Sequence, residues 1–413
     1  MQLLLTLRRF AGLAAMAAIN GASRLTRRGS GTVAGGRVAL RIAPDLLGHL
    51  TNGRMVALVS GTNGKTTTTA LLVAALKSAG YFVVSNDTGA NMPPGHVAAV
   101  SRGERFGPVV LETDEAYLPR VMAETSPMVV VLLNLSRDQL DRSSEVRMLA
   151  DRWRAAMATY QGTVVANADD PLVVYAAELA PKAIWVGAGS AWTLDAVGCP
   201  RCDGQLLHEK SEWHCSACAF RRPLATVSLV GQAGSFVVDL NGTLVAGSLS
   251  IPGEFNRANG AMALAAAEVL GGDLALAMKG MENVSSVAGR YGTSTIAGRQ
   301  VRLLLAKNPA GWSALLDLVE REPSSLIVAL NARVADGFDP SWIWDVAFEQ
   351  LAGRTVAITG DRRFDLAVRL HYAGVHVAVF DRVEEAAVAQ PAGPVTFIGN
   401  YTAFREAKEL ESS

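Results

Sequence analysis

From Met55 onward, short runs of β-branched and aliphatic residues alternate with longer stretches whose apolar positions recur at helical spacing. The run Met55-Val56-Ala57-Leu58-Val59 contains no polar residue and predicts a strand buried on both faces. The chain turns over residues 61–66, and 67–78 predicts a helix closed by Gly80. Further strands are predicted at 109–111, 129–133 and 163–166. Strands separated by helix-length segments build a mostly parallel sheet covered by helices, so the expected fold class is α/β.

The rhythm stops between about residues 192 and 222, where Cys, Gly and polar residues dominate. Strand-like alternation resumes at 225–240 and 243–251, followed by an Ala-rich helix at 256–270. After Arg290 the α/β theme restarts, with strands near 301–306, 326–330, 355–359, 376–380 and 395–398. The expected division is a helical lead segment over 1–45, a middle domain over 46–292 with an insert at 193–225, and a smaller C-terminal α/β domain over 293–413. No solenoid repeat is visible.

Composition narrows the class. At 413 residues, half of them hydrophobic and 18% charged, the chain buries more than one ordinary core. Lys+Arg and Asp+Glu stand at 38 each, which gives no whole-chain electrostatic reason to bind nucleic acid. All four cysteines lie between 199 and 218, unlike a disulfide-stapled secreted protein, and a cytoplasmic enzyme is expected. At the N-terminus Arg8 and Arg9 precede an apolar run over 10–19, and Arg24, Arg27 and Arg28 follow. That run is shorter than the roughly 20 residues a spanning helix needs. The expectation is a small amphipathic helix, packed on the body or resting at the cytoplasmic face of the membrane, rather than a cleaved signal.

The turn after the first strand reads Gly61-Thr62-Asn63-Gly64-Lys65-Thr66, with Thr67 next. A strand, a glycine-bearing turn and a helix start leave free backbone N–H groups and the positive end of the helix dipole facing one point, where a phosphate binds. Lys65 would reach the β/γ oxygens and the Thr66 hydroxyl would ligate Mg²⁺, so ATP is the expected nucleotide. The generic loop has glycine where this chain has Val59. A mere strand–helix turn would leave the Lys-Thr-Thr run unexplained.

Cys199-Pro-Arg-Cys202 and Cys215-Ser-Ala-Cys218 are two Cys-x-x-Cys knuckles, the spacing of a four-thiolate Zn²⁺ site. Four thiolates close the coordination shell, so the zinc is expected to be structural. His208 and His214 read as surface polar residues. A nucleic-acid-binding ribbon beside a vestigial nucleotide site is the rival reading, since Lys210, Arg221 and Arg222 offer charge, but Asp203, Glu209 and Glu212 offset it.

The loop Gly61–Thr66 resembles that of the Mur ligase family, and further motifs follow in the family's order. Leu111-Glu112-Thr113-Asp114-Glu115 resembles the strand-end segment whose glutamate holds magnesium, which implies that role for Glu112. Asn134-Leu135-Ser136-Arg137-Asp138-Gln139-Leu140-Asp141-Arg142 is similar to the family's Asn…Asp-His-Leu-Asp, with Gln139 in place of a metal-binding His. Asn167 to Pro171 matches a family turn, and Gly253-Glu254-Phe255-Asn256-Arg257-Ala258-Asn259 resembles its Gly-x-x-Asn-x-x-Asn helix start. Asn256 and Asn259 share a helical face, where their amides can read a base or cap the helix. Gly289-Arg290 resembles the segment that closes the central domain, with the guanidinium as a phosphate clamp.

The ribbon, Gln139, and the stretches Lys307-Asn308-Pro309-Ala310-Gly311, 335–345 and Gly360-Asp361-Arg362-Arg363 resemble one branch, the MurT family of ATP-binding subunits of a lipid II isoglutaminyl synthase. That resemblance implies ATP-dependent amidation of the D-glutamate α-carboxylate in the lipid II stem peptide, through an acyl phosphate. Ammonia would come from a GatD-like glutaminase partner, since every cysteine here is spent on zinc. The branch supplies an Asp in trans to the partner's Cys and His. Asp336, Asp339 and Asp345 are the candidates, with Asp339 favoured, although Asp residues around Gly337 and Pro340 also cap turns. Trp342, Ile343 and Trp344 are core or a partner-facing anchor. An amino-acid-adding Mur ligase is the nearer rival, and Gln139 and the ribbon argue against it.

Overall fold

The structure, a computed structural model, describes residues 2–25, 32–86, 89–104, 106–137, 146–187, 189, 192–209, 212–230, 235–287, 290–320 and 324–410. Gln139 and Gly289 lie outside these described residues.

Two sheets organise the described chain. The first contains β1 (Val56–Ser60), β2 (Val84–Ser85), β3 (Val109–Glu112), β4 (Val129–Leu132), β5 (Thr163–Asn167) and β6 (Ala183–Gly187). A separate hairpin follows, β7 (Leu206–Glu209) and β8 (Glu212–Cys215), before β9 (Val227–Val230), β10 (Phe236–Leu240) and β11 (Thr243–Gly247) extend the first sheet. Its order is β11-β10-β9-β6-β5-β4-β1-β3-β2, parallel from β2 to β9 and antiparallel through β10 and β11. The uninterrupted apolar runs explain this: β1, β3 and β4 are buried at every position, because helices cover both faces.

On one face Leu71, Leu72 and Leu76 of helix Lys65–Ser78 pack with the Ala-rich helix Glu254–Val269 and helix Leu274–Glu282. On the other, helices Pro93–Val100, Leu118–Thr125, Val146–Met157 and Pro171–Ala177 enclose Trp153. The chain passes from β1 out to the β2 edge, returns to β3, then crosses β1 to β4. That reversal puts a crevice at the carboxyl end of β1, where α/β sheets bind ligands.

The second sheet, β12 (Tyr291–Ile296), β13 (Arg299–Leu305), β14 (Ser325–Ala329), β15 (Thr355–Thr359), β16 (His376–Val379) and β17 (Val395–Gly399), has the order β12-β13-β17-β14-β15-β16. Only β12 runs antiparallel, through a turn at Ala297 and Gly298, both at positive φ. Its sequence Tyr-Gly-Thr-Ser-Thr-Ile carries little apolar signal because it is a partly exposed edge, so periodicity does not reveal it.

The lead segment differs from expectation. It forms a helix of 24 residues, Gln2–Leu25, long and apolar enough by length and composition to cross a membrane. Counting only the apolar run after Arg9 omitted Leu3, Leu4, Leu5 and Leu7, which join the same helix. One side of it packs on helix Thr32–Ile42, with Met16 in the core.

Candidate active site

Gly61 leaves β1 at φ +149, where a Cβ would meet the Leu133 side chain at 2.9 Å and the Asn134 backbone at 3.0 Å. Gly64 occupies the left-handed region at φ +84 and caps helix Lys65–Ser78. A Cβ there would fall 2.5 Å from Asn259 Oδ1. Both glycines are demanded by close approach as well as by φ.

The loop between them is held from one side. Thr62 N–H donates to Asn134 O at 3.0 Å, and the Thr62 hydroxyl donates to Ser136 O and accepts from Ser136 N–H, each at 3.0 Å. Asn63 and Asn134 exchange backbone–side-chain hydrogen bonds at 2.9 and 3.0 Å. Asn134 is thus a splint under the loop, because β4 pairs with β1 and ends beside it.

From the other side β3 pairs with β1 so that Glu112 lies opposite Val59, which sets this buried acid beside the start of the loop. Three hydrogen bonds pin its backbone: Asn86 Oδ1 accepts its N–H at 2.9 Å, while Asn86 Nδ2 and His96 Nε2 contact its carbonyl, each at 2.9 Å. Burial lowers the His96 pKa from 6.5 to about 4. The neutral ring therefore uses its Nε2–H on Glu112.

Lys65 is buried and turned back into the loop. Its ammonium donates to the carbonyls of Gly61 and Thr62 and pairs with Glu115 Oε2 at 2.9 Å. Glu115 was not among the residues singled out from the sequence, although it stands in the same Glu-Thr-Asp-Glu run. Its neighbour Asp114 has a raised pKa, chiefly because it is buried and then because of the Glu115 charge; Lys65 and Lys307 oppose the rise.

The loop opens into a cleft of about 700 Å³. Asn63, Gly64, Thr67, Asn134, Asn256, Asn259 and Arg290 all line it. Asn259 Nδ2 donates to Asn256 Oδ1 at 3.3 Å and Asn256 Nδ2 to Pro252 O at 2.6 Å, so both amides are engaged with each other and with the helix start. Phe255, Tyr291 and Trp192 add aromatic wall. The far side belongs to helix Pro309–Glu320 of the second sheet, and Asn308 at its start exchanges two amide hydrogen bonds with Asn63, at 3.1 and 3.2 Å. Asn308 is fully buried; it stands in the Lys-Asn-Pro stretch, but only folding reveals that it meets the loop.

The four cysteine sulfurs lie within 4.8 Å of one another, with Cys199–Cys218 at 3.7 Å and Cys202–Cys215 at 3.5 Å. A tetrahedron of thiolates at the usual Zn–S bond length has edges of about 3.8 Å, and a disulfide would be near 2.05 Å. The donor set therefore fits zinc. Gly204 has no room for a Cβ, which would sit 3.2 and 3.3 Å from two of the sulfurs. The ribbon is bolted to the first sheet: Trp213 Nε1 donates to Ala168 O at 3.1 Å and Arg222 pairs with Asp169 at 2.8 Å. His208 and His214 are exposed and outside the cluster.

The three candidate aspartates differ. Asp336 is buried, and its carboxylate accepts from Thr402 N–H at 2.9 Å and from the Thr402 hydroxyl. Asp345 pairs with Arg137 at 3.1 Å. Asp339 is exposed, and its Oδ1 accepts a turn N–H from Ser341 at 2.8 Å; this bond holds its pKa below the usual value. Trp342 and Ile343 are core, whereas Trp344 is exposed.

Residues 59–195 match the Mur ligase middle domain, and residues 305–404 match the MurT ligase C-terminal domain. The chain is 32% identical, over 94% of both chains, to the MurT subunit of the glutamine-hydrolysing lipid II isoglutaminyl synthase of Streptococcus pneumoniae. It is 30% identical, over 84% of both, to the same subunit from Staphylococcus aureus. The chain belongs to the MurT family. Solved folds agree: a pseudomurein peptide ligase type C from Methanothermus fervidus superposes with a TM-score of 0.71 at 19% identity, covering 89% of this chain and 80% of that one. MurF ligase from Thermotoga maritima, solved in complex with ADP, superposes at 0.63 and 15% identity, covering 90% and 83%. These are likenesses of fold.

Proposed function

We propose that this chain is the ATP-using subunit of a lipid II isoglutaminyl synthase. It transfers the γ-phosphoryl group of ATP to the α-carboxylate of D-glutamate in the stem peptide, releasing ADP. Ammonia attacks the resulting acyl phosphate, phosphate leaves, and D-isoglutamine remains. The observation that carries the reading is the glycine-bearing loop at the switch point opening into a cleft walled by both sheets, in a chain that matches a MurT subunit over 94% of its length.

Gly61–Thr67 would cradle the phosphates through backbone N–H groups, and Lys65 would exchange Glu115 for phosphate oxygens. Thr66 and Glu112 are the proposed Mg²⁺ ligands, and the ion would neutralise charge on the transferring phosphoryl group. Asn134 fixes the loop, while Asn256, Asn259 and Arg290 face the rest of the nucleotide. Zn²⁺ on Cys199, Cys202, Cys215 and Cys218 is assigned a structural role.

The family's subunit name implies a partner, and a glutaminase is the one this chemistry requires. Of the three aspartates, Asp336 is buried and Asp345 is paired with Arg137, whereas Asp339 is exposed, which supports it as the acid offered to the partner's histidine. ATP and the cytoplasm are matched in this reading.

The test is reconstitution with a co-purified glutaminase, lipid II, glutamine and ATP, read as amidated lipid II by mass spectrometry. Amidation dependent on both subunits is expected. Product formed with a free amino acid instead would establish the amino-acid-adding alternative.

A further inference from the structure

Helix Gln2–Leu25 has two unlike sides. Gly12, Met16 and Asn20 recur every four residues and form the seam with helix Thr32–Ile42. A Cβ at Gly12 would lie 3.1 Å from Ala39 O, and one at Gly35 would lie 2.4 Å from Asn20 Oδ1, so small residues let the two helices close antiparallel. Arg9 pairs with Asp45 and Arg8 Nε donates to Ile42 O at 3.0 Å, tying the far end. This seam is built as part of the folded body, which suits a helix that stays docked on its partner.

The opposite side is apolar and uncovered. Leu3, Leu7, Phe10, Ala14 and Ala17 follow at intervals of four, three, four and three, one face of a helix, with Leu4 alongside. Leu3 is 73% exposed, Leu4 67%, Leu7 56% and Phe10 72%. Such a strip of large apolar side chains is unusual on a soluble surface. Its charge setting is equally uneven. Residues 1–45 hold seven arginines against the single acid Asp45, a surplus of six positive charges in a chain whose net charge is zero. Arg8, Arg37 and Arg41 are exposed on the same helical pair.

We infer that this face is a membrane-docking surface: the helix lies in the plane of an anionic lipid surface, with Leu3, Leu4, Leu7 and Phe10 inserted among the acyl chains and the arginines at the headgroups. The positive surplus selects a negatively charged bilayer as the occupant. A second copy of the chain would bring like charge against like charge at the same strip. The inference stands on the exposed face and its charge; a lipid-linked substrate, under the proposed function, would give it a use by holding the cleft near the bilayer.

The experiment is co-sedimentation of the full chain with vesicles of phosphatidylcholine and phosphatidylglycerol, without lipid II. The protein is expected in the pellet at low salt, released by raised salt or by pure phosphatidylcholine, and extractable by alkaline carbonate. The variant Leu3→Ser/Leu7→Ser/Phe10→Ser should partition about ten-fold less or weaker still, with zinc content and ATP binding unchanged as proof of fold. Any of these results would overturn the inference: the natural chain stays in the supernatant, the variant pellets equally, or the variant instead turns a dimer into a monomer with no lipid effect. Resistance to carbonate would overturn in-plane docking in favour of a spanning helix. Because lipid II is absent, failure here leaves amidation untouched, and failed amidation leaves this result intact.

Discussion

His96 offers a prediction whose size can be worked through. Desolvation dominates its shift from 6.5 to about 4, and the carbonyls of Glu112 and Asn91 offset only part of it. The folded state thus binds this proton more weakly than the unfolded chain, so acid favours unfolding. The stabilising contribution is complete above pH 6.5, declines as the pH falls through 6.5, and is exhausted below about 4. The gap corresponds to roughly 3.4 kcal/mol at its limit. Between pH 8 and pH 5, where the unfolded imidazole is nearly all charged and the folded one nearly all neutral, about 2 kcal/mol is lost. His96→Gln keeps a donor for the Glu112 carbonyl but cannot titrate. Calorimetric unfolding of both proteins at both pH values isolates the effect, because thiolate and carboxylate titrations elsewhere occur in both and cancel. The natural chain should lose about 2 kcal/mol more than the variant. Equal losses would refute the burial argument, and with it the claim that a neutral ring pins the strand end carrying Glu112.

Other changes probe the site directly. Lys65→Ala should abolish ATP turnover while the glutaminase still co-elutes on gel filtration; full turnover would reject the assigned loop. Gly64→Ala forces a Cβ toward Asn259 and an L-residue to φ +84, a strain of about 1–2 kcal/mol that should weaken ADP binding about ten-fold by titration calorimetry. Asn308→Ala removes both amide bonds to Asn63 and the 2.9 Å bond from Gly311 N–H. At about 1 kcal/mol for each bond, it should raise the KM for ATP about ten-fold, and an unchanged KM would disconnect the second sheet from the loop. Cys202→Ser should lower both zinc stoichiometry by elemental analysis and the melting temperature; an unmoved melting temperature would make the metal dispensable.

Pattern alone placed most buried strands to within a residue or two. The run at 55–59 is β1, 355–359 is β15 and 395–398 is β17, because strands covered on both faces are built mainly of aliphatic and β-branched residues. The helix after the loop begins at Lys65, two residues before the expected start, since Gly64 in the left-handed region already serves as its cap. The edge strand β12 escaped because its alternate positions are polar or small; β6, Ala-Ile-Trp-Val-Gly, was also missed although it holds no polar residue.

The glycine-bearing turn after β1, the strand-end Glu112 and the four cysteines were legible as candidate sites, since local spacing along one backbone sets how donors converge, and the four sulfurs do converge. Which groups hold Lys65 in place was not, because Glu115 lies fifty residues away and reaches it only through the parallel pairing of β1 with β3. Nor could sequence say that Asn308 would close on Asn63 across 245 positions, or that Asp336 would be buried under Thr402 while Asp339 faces solvent. A chain encodes what neighbouring residues can do. Register and packing between distant segments decide which of those groups meet.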